Sequence, residues 1–285
     1  MAQLYIVSTP IGNLGDITYR AVAVLGEVDR ILAEDTRRTS ILLRHYGIST
    51  PLTSAHAHNE AARAAQLLEW LDAGEDVAIV SDAGTPLISD PGARIVQRVV
   101  EAGHRVVPIP GPSALLAALV ASGIDPEPFT FFGFTPRSGR ARGERLAEVA
   151  ALRHTAVLYE APGRVASLLR DLADVCGGDR RVAVARELTK VHEAFFRGTL
   201  AEAVAYYDRE PPRGEVVVVV AGGEAGAEEG ADVEDRARVL GRELLAEGGR
   251  PSAVARELAG RLGLPRNRAY EIVLSLSGED EGDSS

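Results

Sequence analysis

Five ionisable side chains fall within the eight residues Arg186-Glu187-Leu188-Thr189-Lys190-Val191-His192-Glu193. Mixed charges gathered at the end of an apolar run can be tuned for acid–base work when they face a cleft. The same set can instead form a salt-bridge network, and His192 taken alone is more often a hydrogen-bonded structural residue than a catalyst. Glu34-Asp35-Thr36-Arg37 closes another apolar run. It either faces the same cleft or lets Asp35 cap a helix that begins at Arg37. No His, Asp or Glu spacing meets a metal-site template. No serine sits in Gly-x-Ser-x-Gly, so a hydrolase elbow is absent.

Three turns rich in small residues are the best ligand candidates: Ser8-Thr9-Pro10-Ile11-Gly12-Asn13, Ser81-Asp82-Ala83-Gly84-Thr85-Pro86 and Pro110-Gly111-Pro112-Ser113-Ala114. Small residues at strand ends let a backbone approach a ligand closely. None of the three fits G-x-G-x-x-G, and none carries the Gly-Lys-Ser/Thr of a phosphate loop. A dinucleotide or triphosphate is therefore not the natural ligand. Asp82 at a strand end can bind ribose hydroxyls or an amino group; alone it would more often cap a helix or bond its own backbone. The recurrence of three such turns favours one shared cleft.

The elements that must position these turns follow from the apolar patterning. Strands are expected at Leu4 to Ser8, Arg30 to Glu34, Val77 to Ser81 and Arg105 to Ile109. Helices are expected at Thr18 to Val28, Asn59 to Ala73, Gly92 to Ala102 and Ser113 to about Ser122. This alternation argues α/β with a largely parallel sheet. Farther on, strands at Phe129 to Phe134, Thr155 to Glu160, Val182 to Glu187 and Glu215 to Ala221 fit a mixed sheet. A Gly/Arg-rich loop is expected from Thr135 to Gly143, and a flexible linker from Gly222 to Gly230. Only helical patterns follow: Val233 to Ala246, Pro251 to Leu262 and Arg266 to Leu276. The expected division is 1–111 and 112–222 for two α/β domains, 223–231 for an acidic linker, 232–278 for a helix-turn-helix-like appendage and 279–285 for an acidic tail. That appendage is either a docking or dimerisation module or an RNA contact.

The chain has 285 residues, 46% hydrophobic and 25% charged, the balance of an ordinary soluble protein. No apolar run approaches the ~20 residues that span a bilayer, and no secretory signal opens the chain. The single cysteine, Cys176, excludes an internal disulfide. A cytoplasmic setting is expected. The net charge of −10 argues against a sequence-independent nucleic-acid coat protein. The charge is segregated, however: arginines gather at 137–145 and 250–268, and acids in the linker and tail.

Taken together, Thr9-Pro10-Ile11-Gly12-Asn13-Leu14 with Asp16-Ile17-Thr18, Glu34-Asp35-Thr36-Arg37, Ser81-Asp82-Ala83-Gly84-Thr85-Pro86 with Ser89-Asp90-Pro91-Gly92, Pro110-Gly111-Pro112-Ser113-Ala114, Tyr159-Glu160, Arg186-Glu187-Leu188-Thr189-Lys190 and Gly214-Glu215 resemble one family. It is the ribosomal RNA small subunit methyltransferase I family, a branch of the tetrapyrrole methylases. The resemblance covers nearly the whole chain. It implies two α/β domains of tetrapyrrole methylase type with S-adenosylmethionine in the interdomain cleft, a C-terminal all-helical appendage, and a homodimer. It implies 2′-O-methylation of a cytidine ribose in the decoding region of small-subunit ribosomal RNA, free or in the assembled subunit. By motif, Pro10, Ile11, Gly12, Ser81, Asp82, Ala83, Gly84, Thr85, Ser113, Ala114 and Tyr159 should line the cofactor. Lys190 is the candidate base or alkoxide-stabilising cation, with Asp35, Glu187 and Glu193 nearby. Arg37, Arg137, Arg140 and Arg142 are the candidate RNA-phosphate contacts, and no metal is expected. The rival readings are a tetrapyrrole methylase of the same superfamily, which would not need the basic segments, and a non-catalytic ribosome-binding factor.

Overall fold

The computed structural model describes residues 2–55, 60–223, 227–246 and 248–279. Residues up to Gly222 form one compact unit, and those from Gly223 a second. The first half of the larger unit runs β1 (Gln3–Val7), α1 (Tyr19–Glu27), β2 (Arg30–Ala33), α2 (Thr36–His45), β3 (Leu52–Ser54), α3 (Glu60–Asp72), β4 (Val77–Val80), α4 (Ala93–Glu101) and β5 (Arg105–Ile109). The second half runs α5 (Ala114–Ala121), β6 (Phe129–Phe134), α6 (Gly139–Ala151), β7 (Thr155–Glu160), α7 (Val165–Cys176), β8 (Arg181–Arg186), β9 (Ala194–Thr199), α8 (Leu200–Arg209) and β10 (Val216–Val220).

The first sheet has the order β3-β2-β4-β1-β5, and all its pairings are parallel. Parallel strands need crossover helices on their faces. Here α3 and α4 bury Leu67 and Val99 against one face, and α1 and α2 bury Leu25 and Leu43 against the other. Val77-Ala78-Ile79-Val80 is buried on both faces, which explains its unbroken apolar run. The second sheet has the order β6-β7-β10-β8-β9; β6 and β7 pair in parallel and the rest antiparallel. Its outer face packs on α6, α7 and α8 through Val149, Leu169 and Ala203. Its inner face packs on α5, and Ile11 from the first turn joins that cluster beside Val217, Val219 and Leu188. The two halves are thus locked by a side chain as well as by the chain itself.

The smaller unit contains α9 (Ala227–Ala246), α10 (Pro251–Leu262) and α11 (Arg266–Glu279). Ala237, Val254, Leu258, Ala269, Ile272 and Val273 form its core. No helix among the described residues is long and apolar enough to cross a membrane.

Three expectations need correction. Helix α9 starts at Ala227, so the stretch expected as linker is helical over its last four residues, 227–230. Residues 224–226 of that stretch, the expected helix start at Asn59 and the tail from 280 lie outside the described residues. The expected Thr135–Gly143 loop ends early, because α6 begins at Gly139 after Ser138 in the extended N-cap conformation. Two edge strands also join the sheets: β3, only three residues long, and β9, a continuous strand whose apolar pattern is broken by Arg197 and Gly198.

Candidate functional site

The three turns are wired to one another before any ligand is considered. The Thr9 N–H donates to the Gly84 carbonyl at 2.9 Å, and the Gly84 N–H donates back to Thr9 at 3.0 Å. Gly84 has φ +80°, a left-handed value that favours glycine. The Thr85 hydroxyl donates to the Pro112 carbonyl at 3.2 Å, and the Ser8 hydroxyl donates to Thr85 Oγ1 at 3.2 Å. At Gly111 a Cβ would stand 2.9 Å from that of Ser8, so the third turn comes this close only as glycine. Ser81 is buried beneath the second turn, its hydroxyl directed at the Ala83 and Gly84 carbonyls, and so holds the turn's shape.

A cleft of about 390 Å³ opens over these turns, within the range of small-molecule sites. One wall carries Ile11, Asp82, Ala83, Gly84, Thr85, Ser113 and Ala114, all expected. Tyr159 lies on the opposite wall with Glu160, Gly214, Glu215, Val216 and Val217. The Tyr159 hydroxyl accepts from the Leu115 N–H at 3.1 Å, tying β7 to the first turn of α5. Pro10 and Gly12 are not among the lining residues; Gly12 faces the 187–193 loop instead. A Cβ on Gly12 would overlap the Lys190 side chain.

Besides Glu160, whose carboxylate is buried against Arg142 and Arg164, four carboxylates, Glu34, Asp82, Asp90 and Glu215, and one cation, Arg38, line this cleft. Asp82 does not cap its own helix: it accepts from the Asp35 N–H at 2.9 Å and faces Arg38 at 3.6 Å. Burial, and then the charge of Glu34, push the Asp90 carboxyl up to about 6, against a hydrogen bond from Ser81. Burial and Asp82 likewise raise Glu34. Asp90 sits on a loop where Leu87 (φ 73°) and Ser89 (φ 68°) are both left-handed. Such strain persists only where the surroundings enforce it, and it concentrates at functional sites. Asp90, Arg38 and Glu215 were not singled out as site residues from the sequence. Asp90 and Glu215 do stand inside the stretches Ser89-Asp90-Pro91-Gly92 and Gly214-Glu215.

The ionisable loop holds its charges outside the lining. Lys190 Nζ donates to Glu187 Oε1 at 2.9 Å and pairs with Glu215 at 3.3 Å. Burial works to lower the Lys190 pKa, but the hydrogen bond to Glu187 and the charge of Glu215 raise it overall. The same bond from Lys190, and one from the Glu215 N–H, lower Glu187. Glu193 accepts from the Thr189 N–H at 2.6 Å and closes the loop. Asp35 caps α2 by accepting from the Arg37 N–H and holds the Arg37 guanidinium at 2.7 Å; the side-chain bond from Arg37, then that backbone bond, bring it down to about 2. Lys190 and Glu187 are thus held in their charged forms, and Asp35 is a poor proton acceptor.

The expected RNA arginines separate. Arg137 is exposed with no ion pair among the described residues; Arg140 is exposed and pairs with Glu144 at 2.6 Å. Arg37 projects outward with its carboxylate partner. Arg142 corrects the expectation: it is only 8% exposed. Its Nε donates to Asp171 at 2.8 Å, its Nη1 to the Pro136 carbonyl at 3.0 Å, and Glu160 lies 3.9 Å away. Glu160, fully buried, also binds Thr135 and Arg164. A buried carboxylate demands such partners, so Arg142 serves the fold.

The family model for tetrapyrrole (corrin/porphyrin) methylases matches residues 3–204. Ribosomal RNA small subunit methyltransferase I of Synechocystis is 46% identical over 98% of this chain and all of its own length. That of Escherichia coli O157:H7 is 42% identical over 97% of this chain and 96% of its own. This chain belongs to the ribosomal RNA small subunit methyltransferase I family. It is a methyltransferase of the tetrapyrrole methylase fold. Among solved structures, diphthine synthase (TM-score 0.62, 14% identity, 78% of this chain and 90% of that one) and the methyltransferase CobJ (0.60, 22%, 78% and 95%) share the fold.

The methyl donor of this family is S-adenosylmethionine, and the cleft residues fit it. The donor carries a sulfonium and an ammonium against one carboxylate, so it is a net cation. A lining in which Glu34, Asp82, Asp90 and Glu215 outnumber the single arginine, Arg38, suits that charge, and Ile11, Ala83, Ile88 and Val217 offer apolar contact. Asp82 would face its cationic and hydroxyl groups, Asp90 adds negative charge to the cleft, and Gly84 allows close backbone approach.

Two outcomes follow. Arg142→Ala should cost about 2 kcal/mol, because it removes a buried guanidinium bonded to Asp171 and the Pro136 carbonyl and one of the two cations near Glu160; calorimetric melting should show it, with the salt dependence of RNA binding unchanged. Asp90 charges only against the fold, so between its ordinary carboxylate range and about pH 6 the folded chain holds the extra proton and stability falls as pH rises. Asp90→Asn should therefore raise the melting temperature at pH 7.5, the gain vanishing near pH 4. The same variant should weaken donor binding about tenfold, and in the unchanged chain donor affinity should drop as pH falls through about 6.

Proposed function

We propose that this chain transfers a methyl group from S-adenosylmethionine to the 2′-hydroxyl of a cytidine ribose in the decoding region of small-subunit ribosomal RNA. Support comes from the relatives, which are named for methylation of that RNA, and from the motif resemblance. The observation that carries it is the pairing of a carboxylate-lined cleft with a charged lysine fixed beside it through Glu215. In this reading residues 1–111 and 112–222 are the two domains that share the cleft, and 232–278 is a separate helical appendage. The chain works as a homodimer in the cytoplasm, on free ribosomal RNA or the assembled small subunit.

When bound, S-adenosylmethionine supplies an already electrophilic methyl group. The chain's work is then to align and to stabilise. Alignment falls to the wired turns, whose geometry is set before binding. The 2′-hydroxyl is a poor nucleophile, and charge grows on its oxygen as it reacts. Lys190, protonated through neutral pH, stabilises that charge as a fixed cation rather than removing the proton. The proton acceptor best matched to neutral pH is Asp90, with Glu34 beside it. Arg137 and Arg140, on the exposed segment entering α6, hold RNA phosphates.

Methyl transfer from labelled donor to unmodified small ribosomal subunits, followed by nuclease mapping, tests the substrate. Label on one cytidine ribose supports the reading; label on a tetrapyrrole instead, with none on RNA, rejects it. Lys190→Met keeps the stem packed on Gly12 and removes the charge. It should lower kcat about 10²–10³-fold with donor affinity unchanged in calorimetry; full turnover would reject the role of Lys190.

A further inference from the structure

A second basic surface lies in the smaller unit. Between α10 and α11 runs a groove of about 500 Å³ lined by Ser252, Arg256, Arg266, Asn267, Tyr270 and Glu271. Its arginines differ from their neighbours. Arg261 pairs with Glu257 at 2.6 Å and Arg268 with Glu234 at 2.6 Å. Arg256 and Arg266 are exposed and have no ion pair among the described residues. The groove's carboxylate, Glu271, shares Arg268 (2.7 Å) with Glu234, so Arg256 and Arg266 still leave the groove net positive. Among the described residues, a net-acidic chain thus leaves both arginines of this groove without an internal ion-pair partner.

Tyr270 adds an aromatic face. It is 46% exposed, while Ala269, Ile272 and Val273 on the same helix carry the burial. An exposed ring lining the same groove as these two arginines, with Ser252 and Asn267 as neutral hydrogen-bonding groups, matches a nucleotide better than an acidic peptide. A peptide carboxylate would use the arginines but not the ring. Single-stranded RNA uses both: its bases stack on aromatic side chains and its phosphates pair with arginine. The grooves of double-stranded RNA would leave the ring without a base to stack on.

We propose that the α10–α11 groove binds a single-stranded segment of the RNA substrate, with phosphates on Arg256 and Arg266 and a base stacked on Tyr270. The proposal rests on the RNA reading above and names a surface separate from the cleft residues.

The test uses the full chain and two probes: a fluorescein-labelled single-stranded oligonucleotide of small-subunit ribosomal RNA sequence, and unmodified small subunits. Anisotropy over a salt series should show Arg256→Gln/Arg266→Gln weakening the oligonucleotide by about tenfold or more. The salt slope should fall by about 1.4, two phosphate contacts' worth on a single strand. Tyr270→Ala should weaken binding about fivefold or more with the slope unchanged. KM for small subunits should rise in both, with kcat at saturation and calorimetric donor affinity retained, which also shows that the variants fold. Normal binding by the unchanged chain with unaltered affinity and slope in both variants overturns the groove alone. A change only in sedimentation overturns it in favour of a second copy. If the unchanged chain neither binds nor methylates small-subunit RNA, the substrate reading falls and the groove with it.

Discussion

The reciprocal backbone pair between Thr9 and Gly84 is the constraint on which the site depends. It joins the ends of β1 and β4, neighbours in the first sheet, into a platform that continues through Thr85 to Pro112. Each link needs a small residue or a left-handed backbone, and Gly84 and Gly111 supply them. From this platform Ile11 reaches across into the apolar cluster of the second sheet. The cleft is therefore the space between this fixed floor and the second half's wall of Tyr159, Val216 and Val217. Charge follows from that geometry: carboxylates from β2, the β4 turn and the loop before α4 converge because their strands end together. Burial, reinforced by their mutual repulsion, raises Asp90 and Glu34 and stores a cost that a cationic ligand relieves.

The second half answers with a fixed cation. Lys190 lies across Gly12, and its ammonium is shared by Glu187 and Glu215. Glu187 (φ 53°) and Thr189 (φ 66°) both adopt left-handed backbone to bring it there. That strain is tolerable because Glu193 and Glu215 bond the loop at both ends. In a fold shared with tetrapyrrole methylases, the cleft edge here presents a lysine held in its charged form, the feature an alkoxide-forming reaction calls for.

Much of this was legible in the sequence, for identifiable reasons. The alternating apolar runs and the Gly- and Pro-rich turns are local signals, and the first parallel sheet followed from them. The turn residues Asp82 to Thr85, with Ser113 and Ala114, stand in the cleft because strand ends in such sheets point there. What local reading missed is long-range. Arg142 looked like a loop cation, because its partners Asp171 and Glu160 come from elements 29 and 18 residues away in the chain. Asp90 and Arg38 enter the cleft only once β2 and β4 pair. Strand β3 was too short to register, and β9 carries Arg197 and Gly198 at positions that break an apolar pattern.

The central claim is that the floor of turns and the lysine above Gly12 together form one reaction site. A crystal structure with S-adenosylhomocysteine and a cytidine-containing RNA fragment tests it most directly. The account predicts the thioether sulfur over the Gly84 turn and a ribose 2′-oxygen within hydrogen-bond reach of Lys190 Nζ. A cofactor product bound elsewhere, or a 2′-oxygen remote from Lys190, would contradict it.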